Sequence, residues 1–461
     1  MGHIKYKSVS RAFNYASRAG WLAVGNLVLL VFLALRNTPL AWLAAWSHER
    51  LNILHRVVGV TTIVLVIIHA GCDSADYARR GRLSQLASRN EVYGEIGAVA
   101  LLLMGVSGVL VRRWWYELFY VLHVALWIVA AVTISLHQPK FGRKMLVAML
   151  VAAGMWFLDR LIRAVRLLVY SANNHVTLTP LPHGATRVTL KKGPFGAASG
   201  EHCFLYIPKI RLIETHPFTL AATEPFEFVV SSRDGFTQDL YRYALANPGA
   251  VLRASVEGAY GAVPDTKDFD TVLLVAGGSG ASFTFGMALN LLRRSLVQGE
   301  KKQIIFIWIV KHEEHLTWFA SHLDTLRQDD RVFLQLYITR SSGPQTALDT
   351  PPSPSECSES DRSEKQQWPR RAATCRSLDS EKSLSLDAAS VASALGEYVV
   401  RERPDVPCLV RTAIEGTPPD RRILVMSCGP EALARDVRNT AAACIRRGGP
   451  GVELHCQQFG W

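Results

Sequence analysis

The sequence has no CxxC pair, although it carries eight cysteines. Their dispersal shows neither a cysteine zinc site nor a disulfide framework. The first nineteen residues, MGHIKYKSVSRAFNYASRA, are polar and basic and lack the layout of a cleavable signal peptide. The helix after them can act as an uncleaved signal. No basic cluster accompanies the formal charge of +12. Lys and Arg are scattered among loops and helix ends, which argues against nucleic acid. That scatter fits membrane-flanking charges and anion sites for phosphate groups. No GK[ST] follows the glycine-rich stretch AGGSGAS (276–282), so it is not a Walker loop. Phe283 stands where a full GxGxxG would have its last glycine.

What is present is hydrophobicity, unevenly spread over a length that suits two or three domains. Five segments before residue 171 have the roughly 17–25 residues a spanning helix needs. They are GWLAVGNLVLLVFLALR, LNILHRVVGVTTIVLVIIHAG, GEIGAVALLLMGVSGVLV, WYELFYVLHVALWIVAAVTISLH and MLVAMLVAAGMWFLDRLIRAVRLLVY. The amphipathic LAWLAAWSHER is too short and polar to span. A membrane protein with a soluble tail follows.

Past residue 172 the pattern turns to short alternating runs: HVTLTPL, ATRVTLKK, HCFLYIP, FEFVVSS and VLRASVE. These predict a small antiparallel barrel. TVLLVAGGSGASFTFGMALNLLRR then reads as strand, glycine turn and helix, and QIIFIWIV, RVFLQLYIT and RILVMSCGP as further buried strands. Strands alternating with helices predict a parallel sheet with helices on its faces. Residues of about 341–395 are rich in Ser, Pro and charge and cannot bury enough apolar surface to fold. Within them RRAAT is a candidate kinase target, or a basic patch in a loose loop. The expected organisation is a polar segment (1–19), a transmembrane helical domain (20–171), a barrel (172–265) and an α/β domain (266–461) interrupted by that insertion.

The second hydrophobic segment carries His55 and His69, and the fourth carries His123 and His137. Each pair is fourteen residues apart. Fourteen steps of about 100° bring the second ring within roughly 40° of the first, about 21 Å along the axis. One helix intervenes, so the two segments cross in the same direction. His55 then matches His123 in depth, and His69 matches His137. Imidazole inside a bilayer is costly unless paired or liganded. A single such histidine is an interhelical hydrogen bond. Four in this register suit the two axial positions of two haem irons.

The stretch SHERLNILHRVVG, the paired histidine spacing and the closing QQFGW resemble the fungal ferric reductase family. That family belongs with the NADPH oxidases to one superfamily of transmembrane flavocytochromes b. The resemblance covers nearly the whole chain apart from the insertion. It implies a membrane α-helical haem bundle followed by a ferredoxin-reductase-like module, an antiparallel β-barrel FAD domain plus an α/β nucleotide-binding domain. It also implies b-type haems at both histidine levels. Family members usually carry a further transmembrane helix before the segment beginning at Gly20, whereas this chain begins almost directly with that helix.

In the barrel, ETHPFTLAATEP contains His216, Pro217, Phe218 and Thr219 in a loop. By resemblance this element lies against the flavin, with Thr219 at the isoalloxazine edge and His216 and Phe218 holding the cofactor. DGFTQDLYRYAL puts Gly235 and Thr237 at a helix start, where exposed amides and the helix dipole suit the FAD pyrophosphate. An ordinary Thr N-cap has the same pattern. EGAYG resembles the family's EGPYG, with Ala259 in place of proline, which loosens that turn. Gly277, Gly278, Ser279 and Gly280 follow a buried strand and precede a helix, the setting of a phosphate-binding turn. A plain strand–helix turn fits equally. Cys428, Gly429 and Pro430 end a later strand, where α/β sheets bind ligands. The resemblance puts this CGP beside the nicotinamide, while Cys428 alone reads as a buried structural thiol. Lys311 suits the ribose 2′-phosphate of NADPH or is a solvated strand-end lysine. A C-terminal aromatic stacks on the flavin in this superfamily, with Phe459 the first candidate and Trp461 the second.

NADPH is cytosolic, so the last helix runs from outside to inside. His55 and His123 are then the cytosolic pair, and His69 and His137 the outer pair. Positive-inside counting does not decide the matter. The resemblance implies a ferric-chelate reductase that passes electrons from NADPH through FAD and two haems to Fe(III), with cupric ion as another acceptor. It serves iron uptake at the plasma membrane, with the vacuolar membrane as the alternative and coupling to an iron permease or oxidase. Four Arg against two Asp and one Glu in CDSADYARRGRLSQLASRNEVYG suit anionic chelates or lipid headgroups. The alternatives are a superoxide-generating NADPH oxidase and a non-catalytic membrane protein derived from a reductase.

Overall fold

The computed structural model describes residues 10–43, 48–138, 143–261, 263–299, 302–340, 391, 394–446 and 448–457. It divides into two compact units, Met1–Val165 and Arg166–Trp461. Most of the expected insertion, RRAAT within it, and both Phe459 and Trp461 lie outside the described residues.

Among the described residues, the first unit holds five helices long and apolar enough to cross a membrane. They are α1 (Arg11–Ala34), α2 (His48–Arg79), α3 (Arg89–Val109), α4 (Tyr116–Leu136) and α5 (Lys144–Val169). Short helices at Pro39–Leu43 and Val111–Trp114 lie between them. Leu27, Ala100, Trp127, Met149 and Ala152 form the centre of the bundle. Val60, Val99, Val121, Val132 and Phe157 are among many large apolar side chains facing outward. Bare apolar surface is costly in water and at home in lipid.

Helix α1 begins well before Gly20. The Ser10 hydroxyl caps it by accepting the Phe13 amide, satisfying one of the amides a helix start leaves open. Ala12, Ala16, Ala19 and Ala23 then form a buried stripe at helical spacing. The polar leader expected over 1–19 is therefore half helix, because the basic residues between the alanines mask the stripe.

Among the described residues, the second unit contains three sheets. An antiparallel sheet is built from β1 (His175–Leu181), β2 (Ala185–Leu190), β5 (Ala222–Thr223), β6 (Phe226–Ser231) and β7 (Val251–Arg253), in the order β5-β6-β2-β1-β7. A second comprises β3 (His202–Tyr206), β4 (His216–Thr219) and β8 (Ser255–Tyr260), ordered β4-β3-β8. VLRASVE, expected as one strand, is thus divided between the two sheets at Ala254. HPFT is a strand and not a loop. Among the described strands it pairs with β3 alone, and such an edge position tolerates Pro217.

The third sheet is parallel. Its strands are β9 (Thr271–Gly277), β10 (Gln303–Val310), β11 (Val332–Ile338), β12 (Val399–Val400), β13 (Arg422–Cys428) and β14 (Gly451–Gln457), in the order β12-β11-β10-β9-β13-β14. Every residue of β9 is buried, as expected of a central strand covered on both faces. Helices α6 (Gly235–Ala246), α7 (Ala281–Gln298), α8 (Ala320–Arg327), α9 (Val406–Glu415) and α10 (Glu431–Ala443) accompany these sheets. Val391 and Leu395 fall inside the stretch expected not to fold, yet both are buried in this core.

Chain order reverses between β9 and β13, so the sheet has a topological switch point there. Ligands bind such sheets at the strand C-termini beside that point.

Candidate functional site

In the first unit, α2 carries His55 and His69, α4 carries His123, and His137 is the C-cap of α4. The rings of His55 and His123 lie 6.3 Å apart between centroids. Those of His69 and His137 lie 6.2 Å apart. Three of the four rings are held through Nδ1 by backbone carbonyls: His55 by Leu30 at 2.9 Å, His69 by Ala16 at 2.8 Å and His137 by Asn90 at 2.8 Å. A carbonyl only accepts, so Nδ1 carries a proton, which leaves Nε2 as the nitrogen a neutral ring offers to a ligand. The fourth, His123, has its Nδ1 buried with no hydrogen-bond partner among the described residues.

Glycine makes room for the second pair. A Cβ on Gly94 would lie 2.8 Å from His137, and one on Gly20 would lie 3.0 Å from His69. A cavity of about 110 Å³ opens here, lined by Gly20, His69, Asp73, Glu91, Glu95 and His137 among others. Of the charged residues in the segment expected to attract anions, the acidic Asp73 and Glu91 line this cavity, whereas Arg79, Arg80, Arg82 and Arg89 are exposed.

In the second unit, His216 stacks on Phe236 at 4.4 Å and 21°, and Phe218 lies 6.0 Å from the same ring. Strand β4 and the start of α6 are thereby brought together. The His216 Nε2 also meets the Glu214 carboxylate at 3.0 Å. Thr219 is buried opposite His202. Gly235 opens α6 with φ +48°, a conformation glycine tolerates. The N-cap is Asp234, and its side chain makes no capping bond. Thr237 sits inside the helix instead. Its hydroxyl accepts the Arg233 amide and donates to the Asp234 carbonyl, both at 2.9 Å. The first amides of α6 are therefore not capped by either side chain. Ala259 ends a cis peptide after Gly258, within β8.

At the parallel sheet, Gly277 closes β9, Gly278–Gly280 form a single 3-10 turn and α7 begins at Ala281. Gly278 has φ +55°, and its carbonyl accepts the Trp308 indole N–H at 3.0 Å. A Cβ on Gly280 would meet the Cys428 carbonyl oxygen at 2.3 Å, and one on Gly429 would meet the Gly277 nitrogen at 2.9 Å. Pro430 abuts Gly277 in the same way. The two glycine signatures, about 150 residues apart in sequence, thus form one surface at the switch point. The Cys428 thiol is fully buried, and burial pushes its pKa up. Lys311 is exposed just beyond β10, whose last residues run beside Gly277.

Sequence reasoning missed the carbonyls of Ala16, Leu30 and Asn90. Those of Ala16 and Asn90 leave a trace in the glycine opposite the ring they hold, Gly20 facing His69 and Gly94 facing His137.

Comparison with known proteins matches the same three regions. Residues 19–134 match "Ferric reductase like transmembrane component", 171–264 match "FAD-binding domain", and 269–442 match "Ferric reductase NAD binding domain". A "Probable ferric reductase transmembrane component" of Candida albicans is 25% identical over 97% of this chain and 65% of its own length. The "Ferric/cupric reductase transmembrane component 1" of the same species is also 25% identical, over 97% of this chain and 57% of its own. The "Ferric reductase transmembrane component 1" of Schizosaccharomyces pombe is 28% identical over 64% of this chain and 59% of its own. The chain spans about six-tenths of the length of these relatives. The three matched regions follow one another in the order in which the chain carries its membrane helices, its antiparallel sheets and its parallel sheet, and the chain is similar to ferric reductase transmembrane components along nearly its whole length.

Proposed function

We propose that this chain conducts electrons from NADPH through FAD and two b-type haems across a membrane to ferric chelates, with cupric ion as a second acceptor. The observation that carries this reading is the pairing of four histidines at two levels. Metal–imidazole bonds of about 2.0–2.1 Å, plus ~1.1 Å from each ligating nitrogen to its ring centre, call for centroids ~6.2–6.4 Å apart on one ion. The two pairs stand at 6.3 Å and 6.2 Å. A direct hydrogen bond between rings would need neither this spacing nor three Nδ1 atoms tied to carbonyls. Tying the far nitrogen fixes tautomer and ring direction, as is usual for metal-bound histidine. The residues present therefore fit the group: His55 with His123, and His69 with His137.

When bound, FAD converts hydride chemistry to single-electron chemistry, and the haems carry single electrons. The chain's own residues bind and orient. Phe236, His216 and Phe218 form an apolar wall and a polar edge for a flat ring. The uncapped amides opening α6 at Gly235 suit a pyrophosphate, with Thr237 fixing that turn. Gly277, Gly278, Ser279 and Gly280 allow backbone to approach a second pyrophosphate at the start of α7. Gly429 and Pro430 close the other side, with Cys428 packed beneath them. Lys311 offers a cation to a 2′-phosphate, which favours NADPH. Because α5 leads into the nucleotide-binding unit, the His55–His123 pair faces the cytosol and the His69–His137 pair the acceptor side. The acceptor class rests on the relatives, one of which is titled a ferric/cupric reductase. Phe459 keeps its proposed flavin-stacking role from family resemblance alone, and the plasma membrane is proposed on the same basis.

The test is an absorption spectrum of the purified protein in detergent, before and after anaerobic NADPH. Low-spin b-type bands that reduce on NADPH addition are expected, with ferric citrate reoxidising them faster than oxygen. Reduction by dithionite alone would remove the nucleotide and flavin assignments. Faster reoxidation by oxygen would favour the superoxide-generating alternative. Protein without haem would overturn the whole reading.

A further inference from the structure

Away from both sites, one group of metal-ligating side chains converges among the described residues: His183, His312 and Glu314. They come from two parts of the second unit. His183 lies in the turn between β1 and β2, in the antiparallel sheet. His312 and Glu314 flank the start of a 3-10 helix, Glu313–Phe319, that follows β10 of the parallel sheet.

Both sides are fixed by hydrogen bonds that involve none of the three. The Trp318 indole N–H donates to the Pro182 carbonyl at 2.9 Å, and the Arg187 guanidinium donates to the Trp318 carbonyl at 2.9 Å. These bonds pin the hairpin turn to the 3-10 helix. His183 has φ +54° and Gly184 φ +76°. Among non-glycine residues, His is one of the few enriched in that region, and here it directs the ring toward the helix. The His183 and His312 rings stack at 4.6 Å with 2° between planes, and His315 lies beside both, 4.9 Å from His183 and 5.7 Å from His312. The His183 Nε2 faces a Glu314 carboxylate oxygen at 3.2 Å.

One ligand atom from each of the three residues lies within 4.8 Å of the other two. Two donors on one ion are about 3–4 Å apart when each bond is about 2.0–2.2 Å. Closing onto a shared ion therefore needs about an ångström of side-chain rotation. His183 is exposed and the other two are half-buried, so that rotation is free of core packing. Two imidazoles and one carboxylate select a borderline divalent ion. Hard ions such as Mg²⁺ and Ca²⁺ prefer all-oxygen shells.

We propose that His183, His312 and Glu314 bind a divalent transition-metal ion of the Zn²⁺ or Cu²⁺ class, which bridges the FAD-binding sheet and the nucleotide-binding sheet. The ion would join the β1–β2 hairpin to the segment directly after Lys311. Metal availability would then set how firmly the two sheets are held beside the nucleotide edge.

The test uses the full chain in detergent, stripped with EDTA and dialysed against Zn²⁺. Zinc has no redox chemistry, so neither haem, flavin nor nucleotide enters the result, and the inference stands or falls apart from the proposed electron path. Bound zinc is counted by elemental analysis across free concentrations. Wild type is expected to hold one tight equivalent more than His183→Gln, His312→Gln or Glu314→Gln, each with affinity at this site at least tenfold weaker. His175→Gln should match wild type. Zinc should also raise the melting temperature of wild type and leave that of the three variants unchanged. Melts in EDTA report folding, and Glu314→Gln and His183→Gln lie on opposite sides of the site, so one sound variant decides. Equal zinc binding in wild type and variants, or no zinc effect on the wild-type melt, would overturn the proposal.

Discussion

A Cβ built on Gly94 would lie 2.8 Å from the His137 ring. Helix α3 therefore approaches the end of α4 so closely that only a hydrogen side chain leaves the imidazole its position. The carbonyl of Asn90, one turn earlier on α3, holds Nδ1 of the same ring at 2.8 Å. One helix thus supplies both the space and the tether for one histidine.

Gly94→Ala should displace His137 and spare His55 and His123, which lie at the other level. The expected result is haem content falling from two per chain toward one, with low-spin character kept in the remainder. Gly25→Ala is the control, because nothing lies within 4 Å of its Cβ. Pyridine haemochrome assay per mole of protein decides. Two haems retained in Gly94→Ala would separate the glycine from the site.

Gly280→Ala should damage the nucleotide edge. The added Cβ would meet the Cys428 carbonyl at 2.3 Å. That contact is backbone, so no side-chain rotation relieves it. Overpacking of this kind costs about 1–3 kcal/mol. The expected outcome is weaker NADP⁺ binding together with a lower melting temperature, read by calorimetry and thermal unfolding. Unchanged nucleotide affinity would mean that the two glycine loops do not meet at the ligand.

The histidine register was legible because membrane helices have a fixed pitch and tolerate few polar side chains. The two glycine loops were legible as strand–turn–helix patterns. Their contact was not, because it depends on β13 inserting beside β9, a pairing across about 150 residues that leaves no local trace. HPFT was hidden by Pro217, which argues against a strand unless the strand is at an edge. The carbonyls of Ala16, Leu30 and Asn90 were illegible for a simpler reason: a backbone oxygen has no residue type. The His183 cluster was equally hidden, since its members are about 130 residues apart and only the docking of Trp318 on the hairpin joins them.

Lys311→Ala tests the choice of nucleotide. A hydrogen bond to a charged group contributes about 1.5–3 kcal/mol, or roughly 10- to 100-fold in affinity. KM for NADPH should rise by about tenfold or more, with KM for NADH unchanged. Equal effects on both nucleotides would remove Lys311 from the 2′-phosphate.

The last prediction concerns acid stability of the second unit. His322 is buried, packed edge-on against Phe285 and Phe319. Its Nε2 has no hydrogen-bond partner among the described residues. Burial, helped by the nearby Arg187 charge, pushes its pKa down to about 4. An unfolded histidine titrates near about 6.5. The unfolded chain therefore binds more protons between those values, and stability falls as pH drops through that window. At pH 5 the loss relative to pH 7 is about 2 kcal/mol, at about 1.36 kcal/mol per pKa unit. Thermal unfolding of the full chain in detergent should show the second unit melting at lower temperature at pH 5 than at pH 7. His322→Phe keeps the aromatic packing and has no proton to bind, so it should shrink that difference, leaving the part carried by His315, whose pKa burial also lowers. A pH dependence undiminished in His322→Phe would assign the acid sensitivity to another group. Glu227 does not supply it. Burial holds its carboxyl above the usual range, with Arg187 opposing, so its contribution is lost as pH rises rather than as it falls.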